Sequence, residues 1–189
     1  MRNRKDIGLA ILLAFCWLIA NGSSNSLING NFEQDLKVGW QISTKDYDGS
    51  GKIKRVKVKD NYYAKVEKIW CGYAELFQII QLTNLDQDLS VRLRLNANSN
   101  RDGYSALAAF ILSFLDEEDE TLARIRIAYS TKVLTNTPME YNYSALPNKW
   151  QTNTINLREE LKHFPKIDFK KIAKLKISLY AYGSNTEGC

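Results

Sequence analysis

Apolar and polar residues alternate with a period of two along most of the chain. The alternation is strictest over residues 89–95 and 175–180, and it recurs over residues 53–59 and 124–129. Successive side chains of a β-strand point to opposite faces of the sheet, so this pattern predicts strands that are buried on one face. Further strands are predicted at residues 62–68, 74–82, 107–115 and 152–157. We therefore predict an all-β fold, an antiparallel β-sandwich of many short strands.

Two segments depart from the strict alternation. Residues 107–115 are almost continuously apolar, which is typical of a central strand that is covered on both faces. Residues 157–164 place Leu157, Leu161 and Phe164 on one face of a helix, directly before a proline. We expect one short helix near residues 157–164.

Turn-forming residues separate the predicted strands at residues 46–51, 59–61 and 96–103. Consecutive acidic residues at 116–120 lie between two other strands. Clustered carboxylates suggest calcium, but this run lacks the alternating ligand spacing and the glycine of an EF-hand loop. We therefore interpret residues 116–120 as an exposed hairpin tip.

The first residues of the chain have the layout of a secretion signal. Basic residues within 2–5 precede a largely apolar run over 7–20, and Ala20 and Gly22 supply small side chains for cleavage before residue 23. The run is shorter than the roughly 20 residues that a membrane-spanning helix needs. We expect a signal peptide at 1–22 and a protein that is secreted or at the cell surface, without a membrane span. A retained anchor is the alternative.

The remaining residues, 23–189, have the length of one ordinary domain. The whole chain carries a formal net charge of +5, and residues 1–22 account for +2 of it, which leaves about +3. Proteins that bind nucleic acids concentrate more basic charge on one face or helix. The charge therefore predicts no nucleic-acid partner.

Two of the three cysteines, Cys71 and Cys189, lie outside the predicted signal. In an oxidising compartment a pair of cysteines usually forms a disulfide, so we expect a Cys71–Cys189 bridge. Two unpaired thiols are the alternative. The sequence contains no CxxC motif and no cluster of cysteine and histidine, so it does not predict a zinc site.

Several motifs occur along the chain in a recognisable order. Residues 27–33 read LINGNFE, and a Gly-Trp pair follows at 39–40. Further motifs lie at residues 76–80, 86–93, 106–127, 150–157 and 175–183. In order and spacing, they resemble those of the carbohydrate-binding modules of the galactose-binding-like jelly-roll superfamily.

The resemblance implies a jelly roll that binds a polysaccharide or a cell-surface glycan without catalysing a reaction. It also implies a structural calcium ion, because Glu33 matches the N-terminal ligand of that site in such modules. These modules usually end with a further strand that carries an aspartate, whereas this sequence reaches Cys189 where that strand would begin. An unfilled strand position invites pairing with another chain. The alternative function is therefore a structural or adhesive surface β-sandwich that pairs with a partner chain through its open edge.

Aromatic residues in predicted loops are the first candidates for glycan contact, because sugar rings have apolar faces. Trp70 and Tyr73 flank the predicted disulfide and would form an anchored platform, while Tyr104 and Tyr143 lie in two further loops. In the alternative reading, Trp70 packs over the disulfide and the tyrosines are ordinary loop residues.

Basic residues are the second candidates for ligand binding. We expect Arg92 and Arg94 to project from one sheet face together with Arg124 and Arg126. Such a basic groove would suit an acidic sugar, because a guanidinium group matches a carboxylate in bidentate geometry. A solvated outer face is the alternative.

The sequence favours a binding protein over an enzyme. His163 is the single histidine, and it lies beside a proline on the predicted helix, so no Ser/His/Asp set can be built elsewhere. A pair of glycosidase carboxylates is not excluded by counting, because aspartate and glutamate are plentiful. We predict a protein that is not an enzyme, and a small glycan hydrolase is the alternative.

Overall fold

Two packed β-sheets make up the computed structural model, which describes residues 9–19, 27–46, 50–99 and 104–184. The strands are β1 (Leu9–Ile19), β2 (Gln41–Asp46), β3 (Lys52–Val58), β4 (Asn61–Ile69), β5 (Gly72–Gln81), β6 (Asp88–Asn98), β7 (Ser105–Leu115), β8 (Thr121–Ser130), β9 (Glu140–Ser144), β10 (Trp150–Asn156) and β11 (Lys174–Ser184). A short helix α1 spans Leu157–Leu161, and a 3-10 helix spans Phe169–Lys171. The predicted all-β sandwich with one short α-helix is therefore confirmed.

The strands divide into a five-stranded sheet with the order β10-β6-β1-β4-β3 and a six-stranded sheet with the order β2-β5-β11-β7-β8-β9. Neighbouring strands run antiparallel, except that β8 and β9 pair in parallel. The acidic residues 116–120 form the turn between β7 and β8, where Asp116 N–H donates to the Glu120 carbonyl at 3.1 Å. The prediction of a hairpin tip at this position is therefore confirmed.

The alternating pattern of the sequence places one face of each sheet in a common core. In β6, Leu89, Val91, Leu93 and Leu95 are buried against the other sheet, and their charged neighbours point outward. Fully burying such a side chain stabilises the fold by about 1.5–3 kcal/mol. The core therefore fixes which face of each sheet remains available to a ligand.

Strand β7 is buried on both faces, as its apolar sequence predicts. One face joins the core between the sheets. On the other face, Leu107, Ala109 and Ile111 form a second, smaller apolar cluster, against which Tyr180 and Tyr182 pack. Within the described residues, side chains of neighbouring strands therefore cover this outer face.

Helix α1 begins where β10 ends, close to the predicted position. The Asn156 side chain accepts a hydrogen bond from Glu159 N–H and caps the helix. Leu157, Leu161 and Phe164 are buried on the side that faces the core. The helix therefore packs its apolar face on the core beside β10.

Strand β1 occupies a central position in the five-stranded sheet, antiparallel to both β4 and β6. Its residues, Leu9–Ile19, belong to the apolar run that the sequence analysis assigns to a signal peptide. Apolar composition is common to a signal and to a strand inside a sheet, so the same residues satisfy both patterns. Cleavage after residue 22 and secretion stay predictions.

Candidate functional site

A cleft of about 380 Å³ crosses the outer face of the six-stranded sheet. Four adjacent strands, β5, β11, β7 and β8, line it with side chains that point away from the core. Its floor is apolar, since Leu107 and Ile111 of β7 belong to the smaller apolar cluster. A concave, partly apolar surface with polar groups around it is the usual form of a small-molecule site.

Tyrosines form one end of the cleft. The rings of Tyr73 and Tyr180 stack with their centroids 5.6 Å apart and their planes 25° apart. Tyr182 lies directly opposite Tyr73 in the pairing of β11 with β5. Burial, and next the charge of Glu75, raises the pKa of Tyr180 to about 12, so its phenol is neutral at physiological pH. This end therefore offers a neutral aromatic surface.

An ion pair spans two strands beside the tyrosines. Lys176 of β11 contacts Glu75 of β5 with an N–O distance of 2.9 Å. The Lys176 ammonium also lies 4.2 Å from the centroid of the Phe77 ring. This lysine is thus largely neutralised and held in place within the sheet face.

Two arginines of β8 form the opposite end of the cleft. Arg126 Nη2 lies 2.7 Å from Glu140 Oε2, and Arg124 Nη1 contacts the same oxygen at 3.4 Å. Arg124 Nε also donates to Ser113 Oγ at 3.4 Å. Burial lowers the pKa of Arg126 from its usual value, and the charge of Glu140 opposes that effect. The Glu140 carboxylate is therefore the ion-pair partner of both arginines.

Of the predicted ligand-binding residues, the structure places in the cleft Tyr73, Arg124 and Arg126. Trp70 is 38% exposed and lies in the turn between β4 and β5, next to the end of the sheet that carries Tyr73. Tyr104 is half-buried just before β7, and its carbonyl accepts a hydrogen bond from Ser99 Oγ. In the pairing of β11 with its neighbours, the starts of β5 and β7 lie at the same end. Trp70 and Tyr104 therefore lie at the tyrosine end of the sandwich.

Tyr143 lies on the opposite face of the sheet from the cleft, because it pairs with the inward-facing Ile127. Its hydroxyl donates to Glu160 Oε2 at 2.8 Å and lies 3.0 Å from His163 Nε2. Burial, followed by the contact with Glu160, raises the pKa of Tyr143. The Tyr141 ring stacks on His163 at 3.7 Å. These contacts join β9 to the segment around helix α1, away from the cleft.

The expectation that four arginines share one face is wrong. Arg92 and Arg94 lie on β6 in the five-stranded sheet, whereas Arg124 and Arg126 lie on β8 in the other sheet. Arg92 and Arg94 are exposed, and the Arg92 guanidinium lies 5.3 Å from the Trp150 ring centroid. An alternating pattern shows that a residue faces outward, but it does not show which sheet carries its strand.

The predicted metal and disulfide residues lie apart from the cleft. Glu33 is exposed in the segment before β2, and its backbone carbonyl accepts a hydrogen bond from Arg55. The described residues contain no group of three or more potential metal-ligating His, Cys, Asp or Glu side chains. The calcium ion at Glu33 stays a prediction. Cys71 lies in the turn between β4 and β5, and Cys189 lies outside the described residues, so the Cys71–Cys189 disulfide stays a prediction too.

Sequence reasoning missed most of the cleft. Tyr180 and Tyr182 occupy the outward positions of β11, where the alternation suggests solvent. Aromatic residues at such outward positions indicate that the sheet face is covered by other side chains or binds a ligand. The pairing that brings Glu75 beside Lys176 spans a hundred residues of sequence and leaves no local pattern.

This chain was compared with protein-family models and with curated proteins. No protein-family model matches it, and no curated protein is significantly similar. In the part of the chain that the structure describes, no helix combines the length and the apolar character that a membrane crossing requires.

Proposed function

We propose that this protein is a secreted, non-catalytic carbohydrate-binding module whose glycan lies in the cleft of the six-stranded sheet. The observation that carries the proposal is the stacked pair Tyr73 and Tyr180 at one end of a cleft with a charged far end. The C–H faces of a sugar pack on aromatic rings, and polar side chains around the rings take its hydroxyl groups.

The carboxyl groups of the cleft support binding rather than hydrolysis. Among the described residues that line it, Glu75 alone carries a carboxyl group, and Lys176 holds that group at 2.9 Å. The adjacent Glu140 is likewise held in an ion pair, by Arg126 at 2.7 Å. Most glycosidases need two carboxyl groups on either side of the scissile bond. The cleft therefore suits recognition without chemistry.

Affinity electrophoresis against a panel of neutral and acidic polysaccharides tests this function. We expect retardation by at least one polymer, and we expect Tyr73→Ala to abolish it because the aromatic surface is lost. Tyr62→Ala is the matched control, since Tyr62 is a half-buried tyrosine on β4 of the other sheet. Near-ultraviolet circular dichroism checks that each variant is folded. Absence of retardation for folded wild-type protein across the whole panel would contradict the proposal.

One observation favours a second function, in which the sandwich pairs with a partner chain. Strand β1 lies between β4 and β6, and its residues fall within the predicted signal. Removal of residues 1–22 would leave the facing edges of β4 and β6 without their partner, and unpaired edges take up strands from other chains.

Sedimentation of residues 23–189 tests the pairing function. A concentration-dependent dimer that dissociates when a peptide of residues 9–19 is added would support strand pairing. A monomer whose sedimentation does not change when this peptide is added would contradict strand pairing. That result would leave the proposed glycan-binding function unaffected.

A further inference from the structure

We propose that the arginine end of the cleft, formed by Arg124, Arg126 and Ser113, binds an anionic group on the sugar, a carboxylate or a sulfate. The ligand class is therefore an acidic glycan. This inference rests on the proposed carbohydrate-binding function and names the chemistry of its ligand.

The charges of the cleft do not balance. Lys176, Arg124 and Arg126 are the cations of the lining, and Glu75 and the adjacent Glu140 are the carboxylates. Glu75 neutralises Lys176, while both arginines share the single oxygen Oε2 of Glu140. One positive charge is therefore left over, and it lies at the arginine end.

The guanidinium groups also have hydrogen-bonding capacity left. An arginine offers five N–H donors. The contacts of Arg124 within the described structure are long, at 3.4 Å to Glu140 and 3.4 Å to Ser113. Arg126 donates to Glu140, but its Nε is buried and has no acceptor among the described residues. A buried donor without an acceptor is unfavourable, so local rearrangement toward a bound anion would be favoured.

The pairing of the strands places these groups around one position on the sheet. Lys176 lies opposite Ser113 on β11, and Arg124 lies opposite Ser113 on β8. Neighbouring strands are about 4.8 Å apart, so two long basic side chains flank a short hydroxyl side chain. An anion bound beside Ser113 would therefore lie between two basic side chains.

The tyrosine end sets the position of the sugar ring relative to the anion. Tyr180 lies opposite Ala109, and Ala109 lies opposite Ala128. Both alanines belong to the smaller apolar cluster against which Tyr180 packs, so this tyrosine lies over the sheet face that extends to β8. A sugar that stacks on Tyr180 therefore projects its charged substituent toward β8, where Arg124 is 38% exposed and accessible.

Calorimetric titration with two matched pairs of polymers tests the inference: polygalacturonate with its methyl ester, and dextran sulfate with dextran. We expect at least one acidic polymer to bind about tenfold or more tightly than its neutral partner, and Arg124→Gln to remove that advantage. The pair that shows the advantage identifies carboxylate or sulfate as the anion. Arg94→Gln, an exposed arginine on the other sheet, is the matched control and should leave the affinity unchanged.

The outcomes separate this inference from the proposed function. Equal binding of acidic and neutral polymers, sensitive to Tyr73→Ala but not to Arg124→Gln, would overturn the anionic ligand and retain the carbohydrate-binding module. Equal losses in Arg124→Gln and Arg94→Gln would also overturn it, because binding would then follow net charge alone. Failure of every polymer to bind would overturn both.

Discussion

Substitution of Asp46 by Asn would test the buried ion pair that anchors the chain beside the Trp70 turn. Lys68 is completely buried, and its ammonium lies 2.6 Å from Asp46 Oδ1. The same ammonium donates to Ser50 Oγ and to the Ile69 carbonyl. Its hydrogen bonds are therefore satisfied, and Asp46 supplies the compensating negative charge.

The structure sets the magnitude of the effect. Removal of one partner of a buried ion pair leaves an uncompensated charge and costs about 3–5 kcal/mol. Asn keeps an oxygen acceptor, and the Asp46 side chain is 16% exposed, so we expect the lower limit, about 3 kcal/mol. In a chain of this size, that loss lowers the Tm by roughly 6–12 °C.

Urea unfolding followed by circular dichroism measures this loss. Glu159→Gln is the control, because the ion pair of Glu159 with Lys162 is exposed and should contribute less than about 1 kcal/mol. The double variant Asp46→Asn with Lys68→Met should regain stability, since it removes the uncompensated charge. If Asp46→Asn loses no more stability than Glu159→Gln, the assignment of a buried, charged pair is refuted.

Three further predictions concern residues around the site. An alanine Cβ at Gly183 would lie 1.9 Å from the Trp70 carbonyl oxygen. Gly183→Ala should therefore lower the unfolding free energy by about 1–3 kcal/mol and change the Trp70 fluorescence. Unchanged stability and fluorescence would contradict this contact. Tyr143→Phe should lower the unfolding free energy by about 1 kcal/mol, because the hydrogen bond to Glu160 is lost. Calorimetry should find unchanged glycan binding, and a binding defect would show that Tyr143 contacts the glycan. Burial favours the neutral phenol of Tyr180 in the folded state, where its pKa is about 12, against about 10 in the unfolded chain. The contribution of this phenol to stability is therefore present below pH 10 and lost between pH 10 and 12. Between pH 10 and 12, the unfolding free energy of Tyr180→Phe should fall less steeply than that of the wild-type protein. An equally steep fall in the two proteins would argue against a buried phenol.

The clearest strand predictions come from segments whose residues alternate between apolar and polar. Strands β6 and β11 alternate strictly, and both lie inside their sheets. The edge strands β2 and β9 were not predicted, because their sequences lack a sustained alternation of that kind. Two other edge strands, β3 and β10, were predicted from the sequence, so the local pattern identifies a strand without showing whether it lies at an edge.

The candidate site is less predictable, because pairing between distant strands creates it. Tyr73 was predicted to contact a ligand from a loop, but it lies in β5 and stacks on Tyr180, more than a hundred residues away. The sequence also groups Arg92 with Arg126, although their strands belong to different sheets. The local sequence shows that a side chain points outward. Only the order of the strands in the sheets shows which outward side chains lie on the same face.

Chemical-shift mapping by NMR tests the central claim most directly. Spectra of uniformly labelled protein would be recorded with and without short oligogalacturonates. We predict that the shifted residues cluster on the outer face of β5, β11, β7 and β8, with Tyr73, Tyr180 and Arg124 among them. Shifts that cluster instead around Arg92 and Arg94, or an unchanged spectrum with both acidic and neutral oligosaccharides, would contradict the assignment of the cleft as a glycan-binding site.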